Sequence, residues 1–215
     1  MQKDYWERKE LNTRRSPEHP VVAEYVVSKI NELRRYIRLT KRTRLLDVGC
    51  GNGFFTYYFD KICDTYGVDF SKKMLQMNPI KKTYLMQAEN LQFEDGSFDV
   101  VFCHALLHHV ENIDRVIQEM RRSSKQYVVI IEPNRNNPLI FLFSLLVKEE
   151  RKALKFSLNF LKNKMIKNDL QIIAFFSHGI LVPNKTPVFI LYLMKLLEFK
   201  QLFGMTNIVI AKKHK

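Results

Sequence analysis

The sequence predicts an α/β protein built on a doubly wound, mainly parallel sheet. Two observations carry that prediction. Short apolar runs at 44–48, 64–69, 83–87, 97–103 and 126–131 alternate with helical spacings. The first run, Leu45-Leu46-Asp47-Val48, also feeds straight into the turn Gly49-Cys50-Gly51-Asn52-Gly53. Alternation of this kind implies right-handed crossovers between strands that run the same way. The 215 residues suffice for one domain with a sizeable core.

Taken in order, residues 1–17 are polar and irregular apart from Tyr5-Trp6. Apolar residues then recur at Val22, Tyr25, Val26, Ile30, Leu33 and Ile37. This spacing predicts a helix over 18–38, with Ser16 as its cap and Pro20 in its first turn. Arg44 to Val48 is the first strand, and Phe54 opens the helix that follows the glycine turn. Thr65-Tyr66-Gly67-Val68-Asp69 ends the second strand in an acid. Ser71 caps a short helix that Pro79 stops. Strands at 83–87 and 97–103, a helix at 112–123 and a strand at 126–131 complete the repeating part.

The last third changes character. Residues 138–147 are strongly apolar, and 149–166 form an amphipathic, basic stretch. A strand is expected at 170–177, a second apolar helix at 187–199 and a final strand at 207–212. Helices as apolar as these two must be buried in something. Packing against each other and the sheet is one expectation. A cap lining a pocket for an apolar, lipid-like acceptor is the other. Neither is long enough to span a bilayer, which takes about 20 residues.

Composition limits the classes. The charged start MQKDYWERKE has no apolar core of a secretory signal. Cys50, Cys63 and Cys103 are odd in number with no C-x-x-C spacing, which suits a reduced, cytoplasmic protein. The net charge is +13, distributed as +6 over 1–45, −2 over 46–147 and +9 over 148–215. Basic flanks fit a solvated surface, nucleic acid, an anionic membrane touched peripherally, or an acidic substrate.

The glycine turn is not the dinucleotide pattern, whose last glycine falls at Phe54, nor a Walker motif. It is D-x-G-x-G-x-G. Strand-terminal Asp69 suits a ribose, because one carboxylate can accept from two hydroxyls. LLDVGCGNG, GVDFS and AENLQFEDGSFDVVF in this order resemble the class I S-adenosylmethionine-dependent methyltransferases, small-molecule type, including the ubiquinone/menaquinone C-methyltransferases. The resemblance spans 43–132. It implies a Rossmann-like seven-stranded sheet with an antiparallel last strand. It also implies one domain over 1–215, with 1–42 as lid and helix, 43–132 as cofactor core and 133–215 as the acceptor-side cap.

What the resemblance implies for the site is specific. Gly49, Cys50, Gly51, Asn52 and Gly53 approach the methionine portion of S-adenosylmethionine. Asp47 meets its ammonium or holds the turn. Asp69 takes the ribose, bonding only the ligand, and Phe70 covers the adenine. Gln87, Ala88 and Glu89 follow the third strand, where many relatives place an Asp at position 87; Gln87 accepts without charge. His104, ending the fourth strand, lies by the transferred methyl and is the candidate base. His108, Asn134 and Arg135 are candidate acceptor contacts, with Tyr5, Trp6 and His19 from the lid. His108 and His109 otherwise read as helix-start and surface residues. No metal is expected: adjacent histidines seldom share an ion, and no acid is spaced to join them. An RNA methyltransferase and a non-catalytic cofactor-binding protein are the rival readings. Oligomeric state is not readable.

Overall fold

A computed structural model describes residues 14–214. Seven strands make one sheet: β1 (Arg44–Val48), β2 (Asp64–Asp69), β3 (Thr83–Leu85), β4 (Phe98–His104), β5 (Ser124–Pro133), β6 (Leu170–His178) and β7 (Thr206–Lys213). Their order is β3-β2-β1-β4-β5-β7-β6. β1 to β5 pair in parallel, and β7 runs antiparallel between β5 and β6. The strand order reverses at β1, so a crevice opens at its carboxyl end.

Alternation along the strands sends neighbours to opposite faces. Leu46, Val48, Val101, Cys103, Val128 and Ile130 join the buried cluster on one face. There they meet Val116, Ile117 and Met120 of α4 (Ile113–Ser123), with Leu161 and Met165 of α6 (Leu158–Lys167). Leu45, Val100, Phe102, Val129 and Ile131 face the other way. They meet Val22, Val26, Ile30 and Leu33 of α1 (Pro20–Leu33) and Phe59 of α2 (Thr56–Asp60).

Several boundaries differ from expectation. α1 starts at Pro20 because His19, not Ser16, caps it: His19 Nδ1 accepts from the Val21 N–H at 3.2 Å. α3 (Lys72–Gln76) follows Ser71, whose hydroxyl accepts from the Met74 N–H as predicted. The basic stretch at 149–166 splits into a 3-10 segment, Lys148–Lys155, and α6. The break falls where Phe156 buries and Ser157 takes extended backbone to cap the Phe160 N–H.

α5 (Pro138–Leu146) is the first apolar helix, started by Asn137, whose side chain accepts from the Leu139 and Ile140 N–H groups. The second apolar stretch is not one helix. It is three consecutive turns, Val188–Ile190, Leu191–Met194 and Lys195–Leu197, with no side-chain cap. Its β-branched and aromatic start has weak helix propensity. Nor is either stretch buried. Leu139, Leu142, Leu145 and Leu146 of α5 are exposed, as are Phe189, Tyr192, Leu193 and Leu196. No helix among the described residues is long and apolar enough to cross a membrane.

Candidate active site

A cavity of about 340 Å³ opens beyond the carboxyl ends of β1, β2 and β4. The glycine turn, Asp69 and Phe70, His104 and the residues after it, α5 and the loop 181–185 all contribute to its wall. Those groups are far apart in sequence and meet only because the three strand ends are neighbours.

The turn is held from beneath. Gly49 and Cys50 both donate to the Val68 carbonyl, at 2.8 and 2.9 Å. Gly51 has φ +50 and lines the cavity; Gly53 has φ +90, and a Cβ there would lie 2.7 Å from Asn78 Oδ1. Both positions therefore require glycine. Asp47 does not reach the cavity wall. It is buried and accepts from the Thr56 hydroxyl at 2.7 Å, tying β1 to the start of α2. Burial raises its pKa to about 7 against the opposing Thr56 bond, with the negative Asp69 adding to the rise.

Asp69 lines the cavity, but it does not wait for a ligand alone. Oδ2 accepts from the Gly51 N–H and Oδ1 from the Ser71 N–H, each at 2.9 Å. Burial pushes its pKa up, and these backbone bonds hold it back. The Phe70 backbone also bonds the carboxylate, whose roughly four acceptor sites are not all spent on these three bonds. The segment before α1 closes over the turn: Arg15 donates to the Pro183 and Thr186 carbonyls, and Asn52 donates to the Arg15 carbonyl. Arg14 lines the cavity beside Phe54. Tyr5 and Trp6 lie outside the described residues.

His104 stands at the cavity wall with Nε2 2.7 Å from the Tyr25 hydroxyl and its ring 4.7 Å from that of Phe55. Burial, with Lys29, Arg14 and His108 nearby, lowers its pKa to about 3. It is a neutral imidazole at physiological pH, and a weak base.

His108 is not a surface residue. Its side chain is fully enclosed between two carboxylates: Nδ1 lies 2.5 Å from Glu132 and Nε2 lies 3.2 Å from Glu150. Burial opposes its charge, yet the two carboxylates raise its pKa to about 9. Glu132 also accepts from the Leu106 and Leu107 N–H groups, at 2.8 and 2.6 Å, which fixes the turn after β4. His109 is half-buried and, like His108 and Glu150, lines the cavity.

Other expected contacts sit elsewhere. His19 is committed to its cap. Asn134 is buried and ties β5 to the Gly204 carbonyl at 2.9 Å and to Ser177. Arg135 is exposed and off the cavity wall. Gln87, Ala88 and Glu89 lie off the wall as well; Met74 is there beside Phe70 instead. Tyr25, Met74, Leu181 and Glu150 were not legible as site residues, since each lies in an element whose local pattern signals only packing or charge.

A family model described as a methyltransferase domain matches residues 46–131. Those residues carry the whole glycine turn, Asp69, His104 and His108. The core of this chain is a class I S-adenosylmethionine-dependent methyltransferase domain. The chain is 30% identical over 93 residues to an uncharacterized methyltransferase of Bacillus subtilis, covering 39% of this chain and 37% of the relative. It is 33% identical over 89 residues to a phosphatidylethanolamine N-methyltransferase of Cereibacter sphaeroides, covering 37% and 44%. The chain thus spans less than half the length of these relatives. An S-adenosylmethionine-dependent methyltransferase from Thermotoga maritima shares the fold, with TM-score 0.68 over 90% of this chain and 92% of that one at 19% identity.

The methyltransferase domain fits its implied cofactor. A glycine-rich turn, a strand-end carboxylate with acceptor capacity left and an aromatic neighbour, Phe70, share one cavity wall. Bound there, S-adenosylmethionine supplies an electrophilic methyl group on a sulfonium.

Proposed function

We propose that the protein, working in the cytoplasm, methylates an apolar, lipid-like small molecule drawn from an anionic membrane surface. The observation that carries this reading is the two-faced α5. Ile140 and Phe143 line the cavity, while Leu139, Leu142 and Leu146 of the same helix are exposed. Phe189 is 86% and Leu146 74% exposed, far beyond isolated surface apolar residues. Lys148, Arg151, Lys152 and Lys155 follow α5 directly and are exposed. Basic residues near a membrane contribute about 1 kcal/mol each with anionic headgroups. A lipid methyltransferase among the similar proteins supports the acceptor class. Three free, buried cysteines agree with a reducing compartment.

In this reading the turn 49–53, Asp69 and Phe70 hold the cofactor. Residues 133–215 form the acceptor-side cap, and 1–42 the lid and first helix of a single domain. Tyr25 and His104 fix the geometry where the acceptor meets the methyl group. Alignment of the reacting atoms is worth roughly 7–11 kcal/mol, so a strong base is not required. A methyl-donor assay over fractionated cell extract tests the reading. Label in the lipid-soluble fraction is expected; label in RNA alone, or in polar metabolites alone, would overturn it.

A further inference from the structure

Two imidazoles and a carboxylate converge on the cavity wall. His108 and His109 come from the turn after β4, and Glu150 from the 3-10 segment Lys148–Lys155. One ligand atom from each lies within 4.8 Å of the others. Adjacent histidines in extended chain point apart. Here the tight turn after Ala105, which has φ +49, brings their ring centroids to 3.9 Å.

The spacing suits an ion. His108 Nε2 and Glu150 Oε2 are 3.2 Å apart. Two ligands roughly 2.0–2.1 Å from a tetrahedral ion sit about 3.4 Å from each other. The other nitrogen of His108 is also partnered. His108 Nδ1 is engaged by Glu132, and Glu132 is fixed by two backbone N–H groups. Metal-bound imidazoles almost always carry such a partner on the other nitrogen. Mixed nitrogen and oxygen donors favour Zn²⁺, Mn²⁺, Co²⁺ or Fe²⁺ over Mg²⁺ and Ca²⁺, which prefer all-oxygen shells.

We propose that His108, His109 and Glu150 form a binding site for one divalent transition-metal ion, open toward the cavity. The ion takes the place between His108 and Glu150 that a proton fills in metal-free protein. Its open position offers a Lewis-acidic contact to an acceptor oxygen or a water. Sequence spacing argued against a metal because Glu150 arrives only through the fold.

The test is calorimetric titration of Zn²⁺ into tag-free, chelator-treated protein, with Co²⁺ visible absorption as a second probe. One equivalent is expected to bind, with new d–d bands for Co²⁺. His109→Ala and Glu150→Gln should each weaken binding at least about tenfold while the protein still melts cooperatively. His109→Ala carries the test if Glu150→Gln does not fold. No saturable binding of either ion would overturn the proposal. So would unchanged affinity in both variants, which would assign the ion to other histidines or the cysteines.

Discussion

At the scale of single residues, the site is governed by how neighbours set charge. His104 is half-buried and His108 buried, yet their pKa values move in opposite directions, to about 3 and about 9. The difference is the company: Tyr25 and a ring face for one, two carboxylates for the other. Nitrogen-15 spectra of labelled histidine should therefore show His104 neutral and untitrating from pH 5 to 9. A transition near the ordinary value would show that water reaches it. In chelator-treated protein, His108 has the opposite sign. Its folded pKa is raised, so its stabilisation is complete below its ordinary 6.5 and fades as pH rises through about 9. Melting temperature should fall across that window in wild type, and His108→Gln should flatten the decline. The acid–base role read from His104's position at the strand end is weakened by this electrostatics, which the sequence does not display.

At the scale of elements, α1 is pinned by one buried ion pair. Lys29 falls on the apolar face of the helix and is fully buried, 2.7 Å from Glu198. Glu198 also accepts from the Ile180 and Leu181 N–H groups, at 2.9 and 3.0 Å, and so anchors a stretch of cavity wall. Removing one partner of such a pair costs roughly 3–5 kcal/mol. Lys29→Met should lower the melting temperature by about 6–20 °C. Adding Glu198→Gln should recover part of the loss, because the charge no longer stands unpaired while its carbonyl still accepts. A Lys29→Met protein melting like wild type would mean Glu198 finds water. The strands and the helices around them were legible because each is driven by local periodicity and bounded by Gly, Pro or a capping side chain. The stretch at 188–199 was misread, since apolarity alone does not mark a continuous helix: α5, equally apolar and exposed, has the Asn137 cap that 188–199 lacks.

At the scale of the molecule, the exposed basic residues Lys148, Arg151, Lys152 and Lys155 directly follow the exposed apolar residues of α5. Sedimentation with vesicles should show binding to anionic and little to neutral lipid, weakening as salt rises. Arg151→Glu with Lys155→Glu should reduce it and leave cofactor affinity unchanged. Binding that ignores lipid charge would contradict the electrostatic part of the docking. The wall around the glycine turn was readable because short local motifs build it, the turn 49–53 and the acidic strand end at Asp69. The rest of the wall comes from α1, the 3-10 segment at 148–155 and the loop at 181–185, brought together only by the fold.

In the proposed function, the turn 49–53 and Asp69 hold S-adenosylmethionine. Calorimetric titration of that compound into wild type and Asp69→Ala measures it directly. One equivalent should bind to wild type. Loss of the charge-assisted bonds should weaken binding tenfold to a hundredfold, about 1.5–3 kcal/mol. Because Asp69 also holds the Gly51 and Ser71 N–H groups, the variant should melt at a lower temperature too. Equal affinities would remove Asp69 from the site, and binding of NADH in place of S-adenosylmethionine would contradict the account as a whole.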